Sequence, residues 1–138
     1  MEVSILIGVL LVSHGDYAKA MKESIEMIVG KRENVYCIGL QANENGENLS
    51  EKLDRIDEDM NKYSECVVFC DLFGGTPCNT VIKKYLNNDK IKVISGMNFS
   101  MLLTTLLQEE ADIDMIIEDG KKGIVNVKDF CNMDDRYD

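Results

Sequence analysis

Short, almost wholly apolar runs alternate along the chain with stretches whose apolar residues recur every three or four positions. The first run covers residues 5–12. Ala18, Met21, Ile25 and Ile28 then trace one helical face, and Gly30 supplies a stop signal. Val35–Leu40 reads as a second strand. Asn48 with Glu51 resembles a capping pair, followed by Leu49, Leu53, Ile56, Met60 and Tyr63 on one face. Cys66–Cys70 is a third strand, apolar throughout. Thr76 and Pro77 read as the N-cap and first turn of a helix that buries Val81, Ile82, Tyr85 and Leu86. Ile91–Ser95 is a fourth strand, ended by Gly96. Helices follow over residues 100–108 and Ile113–Lys122, and Gly123 introduces a short fifth strand at 124–127. Strands alternating with helices predict an α/β fold with a mainly parallel sheet. Strands apolar throughout predict a sheet covered on both faces.

Composition narrows the function. The 138 residues suit one domain, and 45% apolar content is enough for a packed core. A net charge of −10 argues against a nucleic-acid partner, which needs clustered Lys and Arg, and suits a basic protein partner. The apolar N-terminal run has only Glu2 before it, no basic residue, and no small-residue cleavage site after it. It is also too short to span a bilayer. The five cysteines, Cys37, Cys66, Cys70, Cys78 and Cys131, are an odd number with no export signal, which predicts reduced thiols in a cytoplasmic protein. With no C-x-x-C pair and a single histidine, no metal site and no cofactor are expected.

The chemistry points to two strand ends. In an open α/β sheet, ligands bind beyond the carboxyl ends of the strands, where the strand order reverses. The first strand ends in Ser13-His14-Gly15-Asp16 and the third in Asp71-Leu72-Phe73-Gly74-Gly75-Thr76-Pro77. If these strands are neighbours with their helices on opposite faces, His14 and Asp71 face each other across one crevice. A carboxylate on one imidazole nitrogen fixes the tautomer and leaves the other nitrogen as a nucleophile. Gly74 and Gly75 let backbone amides approach an anion, and a helix starting near Thr76 adds free N–H groups. Phosphoryl transfer depends on placement and charge stabilisation, which such a pocket supplies.

At these residues the chain resembles the enzyme IIA component of the mannose-type bacterial phosphotransferase system. The matching motifs are Val12-Ser13-His14-Gly15 and Asp71-Leu72-Phe73-Gly74-Gly75-Thr76-Pro77-Cys78-Asn79. Gly30-Lys31-Arg32-Glu33-Asn34-Val35 and Val93-Ile94-Ser95-Gly96-Met97-Asn98-Phe99-Ser100-Met101-Leu102 support them, and the likeness runs over residues 5–127. Thr76 stands where serine is common, Phe73 where some members have tryptophan, and Ser100 where proline is usual.

The resemblance implies a phosphotransferase with a phosphohistidine intermediate on His14, oriented by Asp71. Gly74, Gly75 and Thr76 would contact the phosphoryl group, and Leu72 and Phe73 would face the partner. The donor would be the carrier protein HPr and the acceptor a IIB component, with the membrane IIC and IID components served indirectly. The implied fold is an open three-layer α/β sandwich with four parallel strands in the order 2-1-3-4. The antiparallel strand at 124–127 would be exchanged within a homodimer. The domain is expected over residues 1–128, with a polar acidic tail at 129–138. A IIA-like donor for dihydroxyacetone phosphorylation and a receiver-like domain phosphorylated on Asp71 are the alternatives.

Overall fold

The computed structural model of the protein describes residues 6–133. The start of the first apolar run and residues 134–138 of the expected tail lie outside the described residues. The elements are β1 (Gly8–His14), α1 (Tyr17–Val29), β2 (Val35–Leu40), α2 (Gly46–Met60) and β3 (Cys66–Cys70), followed by α3 (Thr76–Tyr85), β4 (Ile91–Ser95), α4 (Phe99–Leu106), α5 (Ile113–Lys122) and α6 (Val127–Met133). The strands form one parallel sheet in the order β2-β1-β3-β4.

Alternation along the central strands divides the core into two layers. Val9 and Leu11 of β1 and Val67 and Phe69 of β3 pack against Met21 and Ile25 of α1, Leu102 of α4 and Ile116 of α5. Leu10, Val12, Val68 and Cys70 point the other way, against Leu49 and Leu53 of α2 and Val81 and Tyr85 of α3. All five residues of β3 and the first six of β1 are buried, as expected for strands covered on both faces. Each large aliphatic side chain buried this way contributes about 1.5–3 kcal/mol. That outweighs the roughly 1 kcal/mol of a missing helix cap.

The difference matters at α1 and α3, neither of which has a side-chain bond from its N-cap residue, Asp16 or Gly75. The expected N-cap, Thr76, is instead the first helical residue of α3. Ile82 and Leu86 are exposed rather than buried, because α3 turns Pro77, Cys78, Val81 and Tyr85 inward. The capping pair of α2 also lies three residues earlier than expected. Asn45 accepts from Glu47 and Asn48 N–H while the Asn48 side chain accepts from Asn45 N–H, closing a reciprocal box. Ser100 falls in the first turn of α4, where proline is tolerated, so its replacement there leaves the helix intact.

The fifth strand expected at 124–127 does not form within the single chain. Residues 124–126 are irregular, and Val127 opens α6. Asn126 caps that helix, accepting from Asp129 N–H through Oδ1 at 3.3 Å and from Phe130 N–H through its carbonyl at 3.0 Å. A strand needs a partner edge, and the described chain pairs no strand with this segment. The boundary expected after Lys128 falls inside α6. Cys66, Cys70 and Cys78 are buried, Cys37 and Cys131 half-buried, and all five are free thiols. Among the described residues no helix is long and apolar enough to cross a membrane.

Candidate active site

Strand order reverses between β1 and β3. The chain leaves β1 into α1 on one face of the sheet and leaves β3 into α3 on the other. The two following loops therefore open into one crevice at the carboxyl ends of the strands, where ligands of open α/β sheets bind. In-register pairing sets Val12 beside Cys70, so Asp71, one residue past Cys70, and His14, two past Val12, meet at the rim.

The contact is direct. His14 Nδ1 lies 2.8 Å from Asp71 Oδ2, and the same oxygen accepts the His14 backbone N–H at 2.9 Å. Asp71 Oδ1 accepts the Leu72 N–H at 2.9 Å. Partial burial pushes the Asp71 carboxyl upward, but the hydrogen bonds from His14 N–H, the His14 ring and Leu72 N–H outweigh it and hold the group below the usual carboxylate range. Asp71 is thus ionised at neutral pH and can only accept, so the proton of a neutral His14 sits on Nδ1. Nε2 is left with its lone pair. The two side chains differ in exposure, 51% for His14 and 13% for Asp71. The carboxylate is sheltered and the ring is accessible.

The turn carrying His14 is anchored from beneath. Ser13 is fully buried, and its hydroxyl accepts the Ala18 N–H at 2.8 Å. It supplies the N-terminal bond that Asp16 does not make for α1. The motif alone does not disclose this role; its sequence signal is a hydroxyl five residues before a first-turn amide.

Asp71–Thr76 is built on a tight turn. Gly75 N–H donates to the Leu72 carbonyl at 3.2 Å, and Gly74 at the third position has φ +85°. A positive φ there is the mark of a type II turn and favours glycine. Phe73 occupies the tip and Leu72 adjoins it, both exposed. The amide of Gly75 is therefore spent inside the turn. The N–H groups of Phe73, Gly74 and Thr76 have no acceptor among the described residues, and the Thr76 hydroxyl makes no hydrogen bond there either. What Gly75 offers instead is space: a Cβ on it would lie 3.0 Å from His14 Cε1 and 3.7 Å from Nε2. His14, Asp71 and Gly75 thus come together, Gly74 and Thr76 flank Gly75 in the loop, and Leu72 and Phe73 stand exposed before them. Beside Thr76 a groove of about 720 Å³ runs between the N-terminal ends of α2 and α3, lined by Asn45, Ser50, Asn79, Thr80 and Lys83.

Known proteins are similar to this chain over most of its length. The family model described as the PTS system fructose IIA component matches residues 8–119. The fructose-specific EIIA component of Bacillus subtilis is 30% identical over 105 residues, covering 76% of this chain and 72% of that protein. The mannose-specific EIIAB component of Escherichia coli K12 is 28% identical over 134 residues, 93% of this chain. The chain spans only 40% of the length of that longer relative. The solved structure of the PTS IIA protein associated with the fucose utilization operon of Streptococcus pneumoniae superposes with a TM-score of 0.86 at 28% identity, covering 92% of this chain and 97% of that one. A family model matched over residues 8–119, with a relative 30% identical across most of both chains and a solved IIA protein of the same fold, means that this chain belongs to the mannose-type phosphotransferase-system IIA family.

Proposed function

We propose that this chain is a phosphoryl carrier of a sugar phosphotransferase system, accepting phosphate from phosphorylated HPr on His14 Nε2 and passing it to a IIB component. The observation that carries the reading is the 2.8 Å contact between His14 Nδ1 and Asp71 Oδ2, beside unpaired loop amides. Asp71 holds the Nδ1 proton, so the Nε2 lone pair attacks phosphorus. As the new N–P bond forms, the N–P bond to the HPr imidazole breaks, and its electron pair returns to HPr. The His14 ring becomes cationic, and the ionised Asp71 stabilises that charge without taking the proton. The Gly74 and Thr76 N–H groups and the Thr76 hydroxyl bond the phosphoryl oxygens. The same steps in reverse hand the group to IIB. No cofactor enters the scheme.

Phosphorylation of Asp71 itself is the weaker reading. Both of its oxygens already accept hydrogen bonds, three in all, and a phosphorylated carboxylate would give up the one that orients His14. The partner-facing surface is the exposed Leu72 and Phe73 lip. A homodimer that exchanges residues 124–127 has support at the other side of the sheet. There the outer edge of β4 borders a groove of about 410 Å³ lined by Val93, Ser95, Ile113, Ile117 and Ile124. An unpaired strand edge beside exposed apolar residues suits pairing with a second copy. The relay would run in the cytoplasm, and the IIC and IID membrane components would receive its phosphate only through IIB.

The test is to incubate the chain with phosphoenolpyruvate, enzyme I and HPr and locate the phosphate by mass spectrometry in alkali. An acid-labile, alkali-stable phosphate on His14 is expected. An alkali-labile phosphate on Asp71 would overturn the reading.

A further inference from the structure

Asn79, three residues into α3, makes two contacts that the carrier chemistry does not by itself require. Its backbone N–H donates to the Gly75 carbonyl at 2.9 Å, and its side-chain Nδ2 donates to the Gly74 carbonyl at 3.1 Å. A carbonyl only accepts, so the group facing Gly74 is the amide nitrogen rather than the oxygen. One residue thus holds two successive carbonyls on the helix side of the loop.

The consequence follows from peptide geometry. Within one planar peptide unit the C=O and the next residue's N–H point in opposite directions. With the Gly74 carbonyl held toward α3, the Gly75 N–H points back to the Leu72 carbonyl and closes the turn. With the Gly75 carbonyl held the same way, the Thr76 N–H points away from the helix and keeps no protein acceptor. The residue between them, Gly75, is the one whose missing Cβ would touch the His14 ring. The backbone half of this clamp is the first bond of any helix. The side-chain half is particular to Asn79, since few side chains combine a donor with so short a reach.

We infer that Asn79 is a positioning residue of the phosphoryl-accepting loop, its carboxamide fixing the Gly74–Thr76 backbone so that the Thr76 N–H stays presented beside His14. The inference rests on the carrier reading above and adds to it a residue that touches neither the phosphoryl group nor His14.

The experiment uses the full chain as wild type, Asn79→Ala and Asn79→Asp. Asn79 is exposed, so neither substitution disturbs the core. Single-turnover transfer from phosphorylated HPr is measured over a range of HPr concentrations, and amide hydrogen exchange is followed at Gly75. Both variants should lower the maximal transfer rate about tenfold, as expected for loss of one oriented hydrogen bond. The half-saturating HPr concentration should stay unchanged, and Gly75 exchange should accelerate. A wild-type maximal rate in both variants would overturn the inference. So would an unchanged rate with a raised half-saturating concentration, which would make Asn79 a docking contact. If the wild-type chain takes no phosphate, the carrier reading fails, and the exchange arm decides Asn79 alone: unaltered Gly75 exchange overturns its hold on the loop, and faster exchange supports it.

Discussion

The mouth of the sheet at His14 and the C-terminal stretch over residues 124–130 both leave apolar side chains in water, on different foundations. Phe73, 83% exposed, stands on a turn closed by Gly75 N–H and backed by Asp71, whose partner His14 is 57 positions away in the chain. Ile124, 81% exposed, belongs to a segment whose hydrogen bonds reach only three or four positions, from Ile124 to Lys121 and from Asp129 and Phe130 to Asn126. Long-range bonds fix a surface before a partner arrives, which favours fast and repeated docking because little ordering is left to do on binding. Short-range bonds leave a segment free to trade its conformation for pairing elsewhere. Under the proposed relay, the first region would serve transient contact with two successive partners, and the second the proposed exchange with another copy.

The comparison breaks most plainly at the mouth. His14→Ala should abolish phosphate uptake, read as the loss of label from phosphorylated HPr; undiminished label would remove His14 from the chemistry. Asp71→Ala should slow transfer by about a hundredfold or more, in the range seen when a preorganised charge-stabilising partner is removed. Its half-saturating HPr concentration should change little, because Asp71 is sheltered behind the ring.

A smaller effect is expected from Gly75→Ala. The added Cβ would crowd His14 Cε1 at 3.0 Å and the Leu72 carbonyl at 3.4 Å. Gly75 has φ −75°, so the cost comes from lost space beside the ring and not from backbone strain. Turning the ring aside weakens its bond to Asp71, and a loss of about tenfold in transfer rate follows. An unchanged rate would show that the ring has room to spare. Ile124→Asp should do the reverse of these variants. It should convert a dimer to a monomer in analytical ultracentrifugation while leaving the transfer rate within about twofold, since the two regions share no hydrogen-bond partner among the described residues and so act additively. A monomeric wild type would remove the exchange proposal, and a coupled loss of transfer would mean that the regions are not independent.

The same contrast governs what could be read from the residues alone. β2, β3, β4 and α5 stand where periodicity predicted them, because each buries its pattern inside one chain. The meeting of His14 and Asp71 was legible from a topological rule joined to two motifs. The strand pattern of Ile-Val-Asn-Val at 124–127 forms no strand within the single chain, where Asn126 instead caps α6. Missed too was the division of labour among the loop amides. A glycine pair announces flexibility, but only the fold discloses that Gly75 N–H is consumed by Leu72 and that Gly75 serves through empty space. The burial of Ser13 was invisible for a similar reason, since a serine beside a turn is usually a surface residue.

The smallest effect sharpens the claim that the mouth is fixed before any partner binds. Asp71 has its carboxyl held below the ordinary range, with burial opposing and the His14 and Leu72 hydrogen bonds prevailing. A group whose folded-state pKa is depressed adds stability that is fully present above its unfolded value, about 3.9 for Asp, and that is lost as pH falls through the lower folded value. Urea unfolding of the wild type and Asp71→Asn across pH 7 to 3 isolates this contribution, because every other carboxylate is common to both chains. The stability gap should stay level down to about pH 4 and narrow below it, while the His14–Asp71 contact of the free protein persists to the same point. A gap that does not vary over the acid range would mean that Asp71 is no more tightly held than a solvated carboxylate. The rigid mouth would then lose the anchor that distinguishes it from the C-terminal stretch.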